Sequence, residues 1–503
     1  MGVKGTLLMP LAIWTAKRIR SWSESALIDQ DKLLKSLVHK AKNTRFGRDH
    51  GFIEIHSYED FKSRVPIRDY EGLRSYVDMI ISGESDVLWP GKPKYFGKTS
   101  GTTSGVKYIP LTHDSMPNHM NSAKSAILNY IAQTKDSSVL DGKMIFLSGS
   151  PTLFKKGGIP TGRLSGIVNH EVPRWLKGNQ MPTYSTNCIE EWENKLEKIV
   201  DETLQKDMRL IGGIPPWVQM YYERLLERTG KSSIKEIFPN YNLFVYGGVN
   251  FEPYRAQLES LIGKSIPSIE LYPASEGFIA YQVSQVEKGL LLNTNSGIFY
   301  EFIPVEEVHN DNPTRLKLDQ VQLDQDYALI INNNAGLWGY SIGDSIRFVS
   351  LDPYKIIVTG RIKHFISAFG EHVIGKEVEE ALMHVAQKYR SKVVEFTVAP
   401  QVNPPDGSTP YHEWFVEFES PPQDLHAFSK EVDQEMVKQN IYYEDLIKGG
   451  ILQPLKIRSM KTDAFRSYMR DQGKLGGQNK VPRLSNDRKI ADLLAKYVWQ
   501  MEV

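Results

Sequence analysis

Between residues 143 and 272 the sequence changes period repeatedly. Short apolar runs suited to strands alternate with stretches whose apolar residues recur every three or four positions. No other feature constrains the fold as much, because an unbroken apolar strand needs cover on both faces and the intervening helices supply it. Strands are expected over 143–147, 209–212, 242–246 and 268–272, and helices over 188–204, 216–226 and 252–262. After Gly297 the pattern turns to strands (298–303, 327–332, 345–349 and 355–358), a β-rich subdomain of the same unit. Upstream, residues 25–46 and 58–83 read as helical, the second stretch broken at Pro66, and a helix over 114–132 takes Asp114 as its N-cap.

A chain of 503 residues exceeds the roughly 250–300 at which single cores stop growing, so a second unit is expected. Past Gly360 a helix over 376–389, strands over 393–398 and 413–419, and helices over 425–439 and 485–499 supply it, with a proline-rich exposed loop at 399–410. The expected class is α/β: a large N-terminal domain, 1–360, and a small α+β domain, 361–503. With 61 Lys+Arg against 60 Asp+Glu there is no general field to attract polyanions, so nucleic acid is excluded as a default partner. Cys188, the single cysteine, excludes an internal disulfide and Cys-cluster metal sites and fits a cytoplasmic location. The early apolar stretch 7–14 is interrupted by Pro10 and followed by Lys17, Arg18 and Arg20, far short of the roughly 20 residues of a membrane span. It reads as an amphipathic helix packed on the body, or as a membrane-surface helix.

Four segments carry the chemistry. Lys98-Thr99-Ser100-Gly101-Thr102-Thr103-Ser104-Gly105 lies between two β runs. Its glycines let backbone N–H groups turn inward and its hydroxyls add donors, a cradle for polyphosphate. It lacks the Gly-Lys-Ser/Thr ending of a Walker A loop, and a solvated surface loop is the competing reading. Glu270-Leu271-Tyr272-Pro273-Ala274-Ser275-Glu276-Gly277 leaves an apolar strand; Tyr272 suits stacking on a purine and Glu276 suits Mg²⁺ against phosphate oxygens, with a plain turn as the rival. In Trp338-Gly339-Tyr340-Ser341-Ile342-Gly343-Asp344 a carboxylate beside glycine suits the two hydroxyls of a ribose, or a β-turn. The fourth, Val358-Thr359-Gly360-Arg361-Ile362-Lys363-His364, continues to Phe369-Gly370-Glu371-His372-Val373 and reads alternatively as an interdomain linker.

In order and spacing these segments resemble the adenylate-forming enzymes and, within them, the Gretchen Hagen (GH3) family of acyl acid amido synthetases, over essentially the whole chain. Ser100-Gly101-Thr102-Thr103, Tyr272-Pro273-Ala274-Ser275-Glu276 and Tyr340-Ser341-Ile342-Gly343-Asp344 are similar to that family's three ATP motifs. Phe299-Tyr300-Glu301-Phe302-Ile303-Pro304 and Gly476-Gly477-Gln478-Asn479-Lys480-Val481-Pro482-Arg483 are similar to two further family signatures, which separate it from the acyl-CoA ligases. The resemblance implies the adenylate-forming fold, with a small mobile C-terminal domain. It also implies a two-step reaction in which a small carboxylic acid attacks the α-phosphate of ATP and an amino acid amine then attacks the acyl-adenylate.

By the same resemblance ATP and Mg²⁺ are the cofactors, with Ser100, Gly101, Thr102 and Thr103 on the phosphates and Tyr272, Ser275 and Tyr340 around the nucleotide. Asp344 takes the ribose, assisted by Arg361, and Glu276 takes the metal. Lys363 falls at the interdomain pivot, and Lys480 competes with Lys474 as the cation delivered by the C-terminal domain. Departures from the pattern are Thr99, Ala274 and the Gly370-Glu371-His372 loop, which is closer to the wider superfamily. For the acyl pocket, the helix after the phosphate loop offers Lys124 in place of an arginine, and Trp217 and Tyr221 stand at helical spacing as possible walls. An acyl-CoA ligase on the same fold, or a non-catalytic protein binding nucleotide or acyl acid, remains a competing reading of the same residues.

Overall fold

A computed structural model describes residues 3–100, 106–172, 177–248, 251–308, 310–362, 365–371, 373–472 and 481–499. Its centre is an eleven-stranded sheet. One half is parallel: Gln180–Met181, Lys143–Phe146, Met208–Gly213, Leu243–Gly247 and Ser268–Ala274 run side by side in that order. The helices Trp192–Thr203, Pro215–Thr229 and Glu252–Ile262 make the crossovers that parallel neighbours require. The other half is antiparallel, through Gly277–Gln282, Leu290–Leu292, Tyr354–Arg361, Tyr340–Leu351, Asp326–Asn333 and Ile298–Pro304.

The unbroken apolar strands have a simple cause, since alternate residues feed two different cores. Ile211, Phe244 and Tyr246 pack beneath the crossover helices. Leu210, Leu243 and Val245 face the opposite way, against the helices Val3–Glu24 and Met116–Thr134. The antiparallel half buries Tyr300, Phe302, Leu329 and Ile331 against the N-terminal helices Ala26–Ala41, Tyr58–Arg64 and Tyr70–Ile81. The last two helices are separate because Pro66 lies between them and each has its own cap. Ser57 and Asp60 form a capping box, and Asp69 accepts from the N–H groups of Glu71 and Gly72.

A small four-stranded sheet of Val106–Leu111, Tyr95–Ser100, Ile159–Gly162 and Phe154–Lys156 stands beside the main one. The C-terminal unit packs the helices Gly375–Lys388, Leu425–Gln439 and Ile441–Lys448 on a three-stranded sheet, Lys392–Gln401, Tyr411–Ser420 and Lys456–Met460. Its core is continuous with that of the crossover helices, with Ile366, Phe369 and Val373 joining the two.

Several expected boundaries move, three of them through identifiable contacts. The helix over 114–132 runs from Met116 to Thr134, because the Asp114 carboxylate is engaged by the Trp89 indole at 2.8 Å and Lys40 at 2.7 Å and cannot cap. The helix over 188–204 starts at Trp192, where Glu191 accepts from the backbone of Glu193 and Asn194. The helix over 485–499 shrinks to Lys489–Leu494. Ser485 bonds the Val398 carbonyl and Trp499 bonds that of Ser459, so both ends are drawn into strand-like pairing.

Candidate active site

Parallel strands end together, and the crevice beyond their carboxyl ends is where open α/β sheets bind ligands. Here that edge is formed by Leu147 to Ser150, Gly212 to Ile214, Gly247-Gly248 and the turn at Ser275-Glu276. The strands close tightly there. A Cβ on Gly247 would sit 2.3 Å from the Leu271 carbonyl oxygen, and one on Gly212 would sit 2.8 Å from that of Val245.

Ser275 and Glu276 form the two-residue link of a hairpin closed by the Ala274–Gly277 pair. The link is pinned from the antiparallel half. Asn333 donates through Nδ2 to the Glu276 carbonyl at 2.7 Å, while its Oδ1 accepts from the N–H groups of Ala335 and Leu337. The Glu276 carboxylate accepts the Tyr340 hydroxyl at 3.2 Å. Burial first, and the Glu276 charge second, push the Tyr340 hydroxyl well above the ordinary tyrosine range, so it stays protonated as a donor. Beside this pair, the Tyr272 hydroxyl donates to Asp344 Oδ2 at 2.5 Å. Asp344 is 6% exposed, and its cross-strand neighbour in the backbone register is Arg361. Tyr272, Ser275, Glu276, Tyr340, Asp344 and the backbone of Arg361 therefore occupy one region, although up to 89 positions separate them in the chain (361 − 272).

The strand Tyr95–Ser100 adjoins the same turn: a Cβ built on Gly97 would lie 3.5 Å from the Cβ of Ser275. That strand pairs with Val106–Leu111 up to the Ser100–Val106 rung, so both stems of the hydroxyl-rich loop are fixed. Gly101, Thr102 and Thr103 lie outside the described residues, as do Lys363, Lys474 and Lys480. The C-terminal unit touches this edge. The Tyr442 hydroxyl donates to the Lys98 carbonyl at 3.3 Å, Asp445 pairs with Arg163, and the Tyr254 hydroxyl donates to the Ala368 carbonyl at 2.7 Å. Burial pulls the Lys98 ammonium and the Arg163 guanidinium below their usual ranges, and the Arg163 charge adds to the effect on Lys98.

Two acyl-pocket expectations change. Tyr221 is fully buried, and its hydroxyl is spent on Thr203 at 2.7 Å beneath the neighbouring helix, which makes it a core residue. Lys124 is exposed and donates to Asn121; it sits about 200° round the helix from Ser122, whose hydroxyl is held by Asn293 on the sheet side. Trp217 stays near the strand ends, in the first turn after Ile214, packed on Trp192 with ring centres 4.4 Å apart and planes tilted by 52°.

Other residues went unnoticed in the sequence. Asn332 and Asn333 are 0% and 2% exposed, and they organise both turns of the site. The polar run Asn332-Asn333-Asn334 closing an apolar strand was the available signal. Lys195 is buried at the end of the strand Lys143–Phe146 and donates to the carbonyls of Ser148 at 2.9 Å and Asn187 at 2.8 Å; burial pulls its ammonium down to about 8. Nothing in the local sequence distinguishes it from a surface lysine.

Comparison with known proteins matches this geometry to a family. The sequence profile of the GH3 family N-terminal domain matches residues 15–183 and 164–267, that of the central domain 291–361 and that of the C-terminal domain 376–489. A jasmonoyl–L-amino acid synthetase of Oryza sativa subsp. japonica, GH3.5, is 21% identical, with 95% of each chain covered. An indole-3-acetic acid-amido synthetase of Arabidopsis thaliana, GH3.3, is 24% identical, covering 92% of this chain and 90% of its own. Against the jasmonoyl–L-amino acid synthetase JAR4 of Nicotiana attenuata, 23% identical, the match covers 63% of this chain and 66% of that relative. Among solved structures, the acyl acid amido synthetase AtGH3.15 in complex with 2,4-DB superposes over 97% of this chain and 96% of its own, at a TM-score of 0.61 and 17% identity, a likeness of fold. With all three family domains matched in order over more than half its length, the chain belongs to the GH3 family.

Proposed function

We propose that the protein is an ATP-dependent ligase that adenylates a small carboxylic acid and passes the acyl group to the amine of an amino acid. The observation that carries this reading is the convergence of Tyr272 on Asp344 and of Tyr340 on Glu276, at the carboxyl edge of the parallel strands and beside the stem of the hydroxyl-rich loop. Relatives that are a jasmonoyl–L-amino acid synthetase and an indole-3-acetic acid-amido synthetase point the same way.

In this reading the Tyr272 ring stacks on adenine while its hydroxyl holds Asp344 in place for the ribose hydroxyls, with Arg361 assisting. Ser100, Gly101, Thr102 and Thr103 donate to the phosphates, and Ser275 backs them from the hairpin. The donor set also suits Mg²⁺. Among the described residues no three His, Cys, Asp or Glu side chains group together, and a single carboxylate sharing the ion with phosphate oxygens is the usual arrangement for magnesium. Glu276, oriented by Tyr340, would hold it; when bound, the ion neutralises charge as carboxylate and triphosphate approach. The acid's oxygen attacks the α-phosphate and pyrophosphate leaves. The amine then attacks the acyl carbon, and AMP and a proton leave.

The working division is an N-terminal domain of 1–360 and a lid of 361–503, pivoting at Lys363 and delivering Lys480 or Lys474, in the cytoplasm. Trp217 is the retained wall of the acyl site. A pyrophosphate-release screen across aliphatic, aryl and indolic acids, with and without pooled amino acids, tests this reading. Acid-dependent pyrophosphate with amide product is expected, and Glu276→Ala or Asp344→Ala abolishes it. Thioester formation with CoA in place of amide, or ATP binding with no acid-dependent AMP, would overturn it.

A further inference from the structure

The first helix, Val3–Glu24, has two dissimilar faces. Ala12, Thr15 and Ile19 are buried against the helix Met116–Thr134 and its core. The opposite face divides lengthwise. Its first half exposes Pro10, Leu11, Ile13 and Trp14, the last three 41%, 45% and 55% exposed, while its second half exposes Lys17, Arg18 and Arg20. At the start of the next helix Leu27 and Ile28 are exposed as well. Leu11, Ile13 and Trp14 alone put three large apolar side chains outside within about one turn of a single helix, more than a globular surface requires.

The charges on the first helix are mostly basic, while the next helix carries exposed Asp31 beside Lys32. Arg20 is paired with Glu24 at 2.9 Å, but neither Lys17 nor Arg18 has a carboxylate partner among the described residues. The Arg18 guanidinium lies 5.3 Å from the centre of the Trp14 ring. On the adjoining helix Met116–Thr134 the exposed charged residue is Lys124, and exposed Lys135 follows its last turn. A second copy of the chain fits this face poorly. Pairing the helices antiparallel sets cations on apolar side chains, and pairing them parallel sets cation against cation. An apolar layer bordered by an anionic layer matches both halves at once, with tryptophan where the layers meet.

We propose that this face docks the protein on an anionic lipid bilayer, Leu11, Ile13 and Trp14 entering the acyl boundary and Lys17 and Arg18 meeting the headgroups. The helix lies on the surface, since no helix among the described residues is long and apolar enough to cross a membrane.

The test is co-sedimentation of the full chain with vesicles of equimolar phosphatidylglycerol and phosphatidylcholine, or of phosphatidylcholine alone, at low and high salt. Binding to the anionic vesicles alone is expected. A Lys17→Ser, Arg18→Ser double variant weakens it about 25-fold, at about fivefold per cation, and raised salt weakens it as well. An Ile13→Ser, Trp14→Ser variant weakens it about tenfold or more through lost apolar burial. All forms should keep the same thermal midpoint, since these side chains lie outside the core. Absence of wild-type binding, equal binding to neutral vesicles, or indifference to both double variants overturns the proposal. So does a dimer in light scattering that Trp14→Ser dissociates.

Discussion

The Phe299-Tyr300-Glu301-Phe302-Ile303-Pro304 signature turns out to be anchored by a buried ion pair, which makes a quantitative test possible. Glu301 is 0% exposed and Arg315 is 8% exposed. Arg315 grips the carboxylate with two N–H groups, Nε to Oε1 at 2.9 Å and Nη2 to Oε2 at 2.8 Å. The same carboxylate accepts the Tyr58 hydroxyl at 2.9 Å and Asn332 Nδ2 at 2.8 Å. Removing one partner of a buried pair strands the other and costs about 3–5 kcal/mol, and each orphaned donor adds a further penalty. Glu301→Leu strands a guanidinium and an amide and leaves the Tyr58 hydroxyl only the Arg315 carbonyl at 3.3 Å, so a loss of about 4 kcal/mol or more is expected. Arg315→Met leaves a carboxylate that still has two donors, and about 3 kcal/mol is expected.

The Glu301→Leu, Arg315→Met double variant removes both charges. Tyr58 keeps the backbone carbonyl of residue 315 at 3.3 Å, so the remaining orphans are the Asn332 amide and the Val65 carbonyl that Arg315 had bonded, for a loss of about 2 kcal/mol, less than either single change. Differential scanning calorimetry reads this as an order of midpoints: double variant above Arg315→Met, and Arg315→Met above Glu301→Leu. The last falls about 8–16 °C below the wild type if the cooperative unit is of ordinary domain size. Single variants within about 2 °C of the wild type, or a double variant as damaged as the sum of the two, would refute the assignment of the pair as a coupled buried anchor.

Three further outcomes follow from particular contacts. Tyr272→Phe keeps the ring but removes the hydroxyl held by Asp344; steady-state kinetics should show KM for ATP rising about tenfold with kcat changed less, whereas an unchanged KM would separate Asp344 from the ribose. Asn333→Ala frees the Glu276 turn without touching the nucleotide; it also orphans the N–H groups of Ala335 and Leu337, so the thermal midpoint falls, and pyrophosphate release measured well below that midpoint should drop about 100-fold, whereas full activity there would mean that the hairpin holds itself. Glu377, at the start of the helix Gly375–Lys388, is pushed up from 4.5 to about 7 by burial, with Asn440 and the Ile374 N–H opposing the rise. The folded protein therefore binds the proton more tightly than the unfolded one. Stability from this group is present below pH 4.5 and is lost as pH climbs through 7, for about 3 kcal/mol at most. Glu377→Gln should match the wild type near pH 4.5 and melt higher above pH 7, and a difference independent of pH would remove the assignment.

Much of this was legible in the chain because it rests on local pattern. The apolar strands and their crossovers follow from periodicity, and Tyr272, Glu276 and Asp344 stand in segments whose Tyr-Pro, Glu-Gly and Gly-Asp pairs mark them, although the structure puts Tyr272 and Asp344 on strands and only Glu276 in a turn. What the sequence hid depends on distant partners. Asp114 looks like a helix cap until Trp89 and Lys40 engage its carboxylate. Tyr221 and Trp217 share a helix face by spacing, yet one is sealed against Thr203 and the other borders the strand ends. The short strands Phe154–Lys156 and Ile159–Gly162 have few apolar residues, and only pairing makes them strands: Ile159–Gly162 with Tyr95–Ser100, and Phe154–Lys156 with Ile159–Gly162.

The anchor and the site are also one construction, which gives the ion-pair experiment a second readout. Asn332 joins them: its Nδ2 donates to Glu301, while its Oδ1 accepts the Gly339 N–H at 2.6 Å, fixing the turn that delivers Tyr340 to Glu276. Its neighbour Asn333 holds the Glu276 carbonyl from the same strand end. A change at Glu301 therefore reaches Glu276 through two hydrogen-bonded steps on a rigid strand. In the Glu301→Leu variant, assayed well below its midpoint, acid-dependent pyrophosphate release should be depressed as well, and Asn332→Ala should reproduce that loss with a smaller thermal cost. If Glu301→Leu melts early yet turns over normally at low temperature, the anchor supports the fold alone, and Tyr340 is positioned by its own burial.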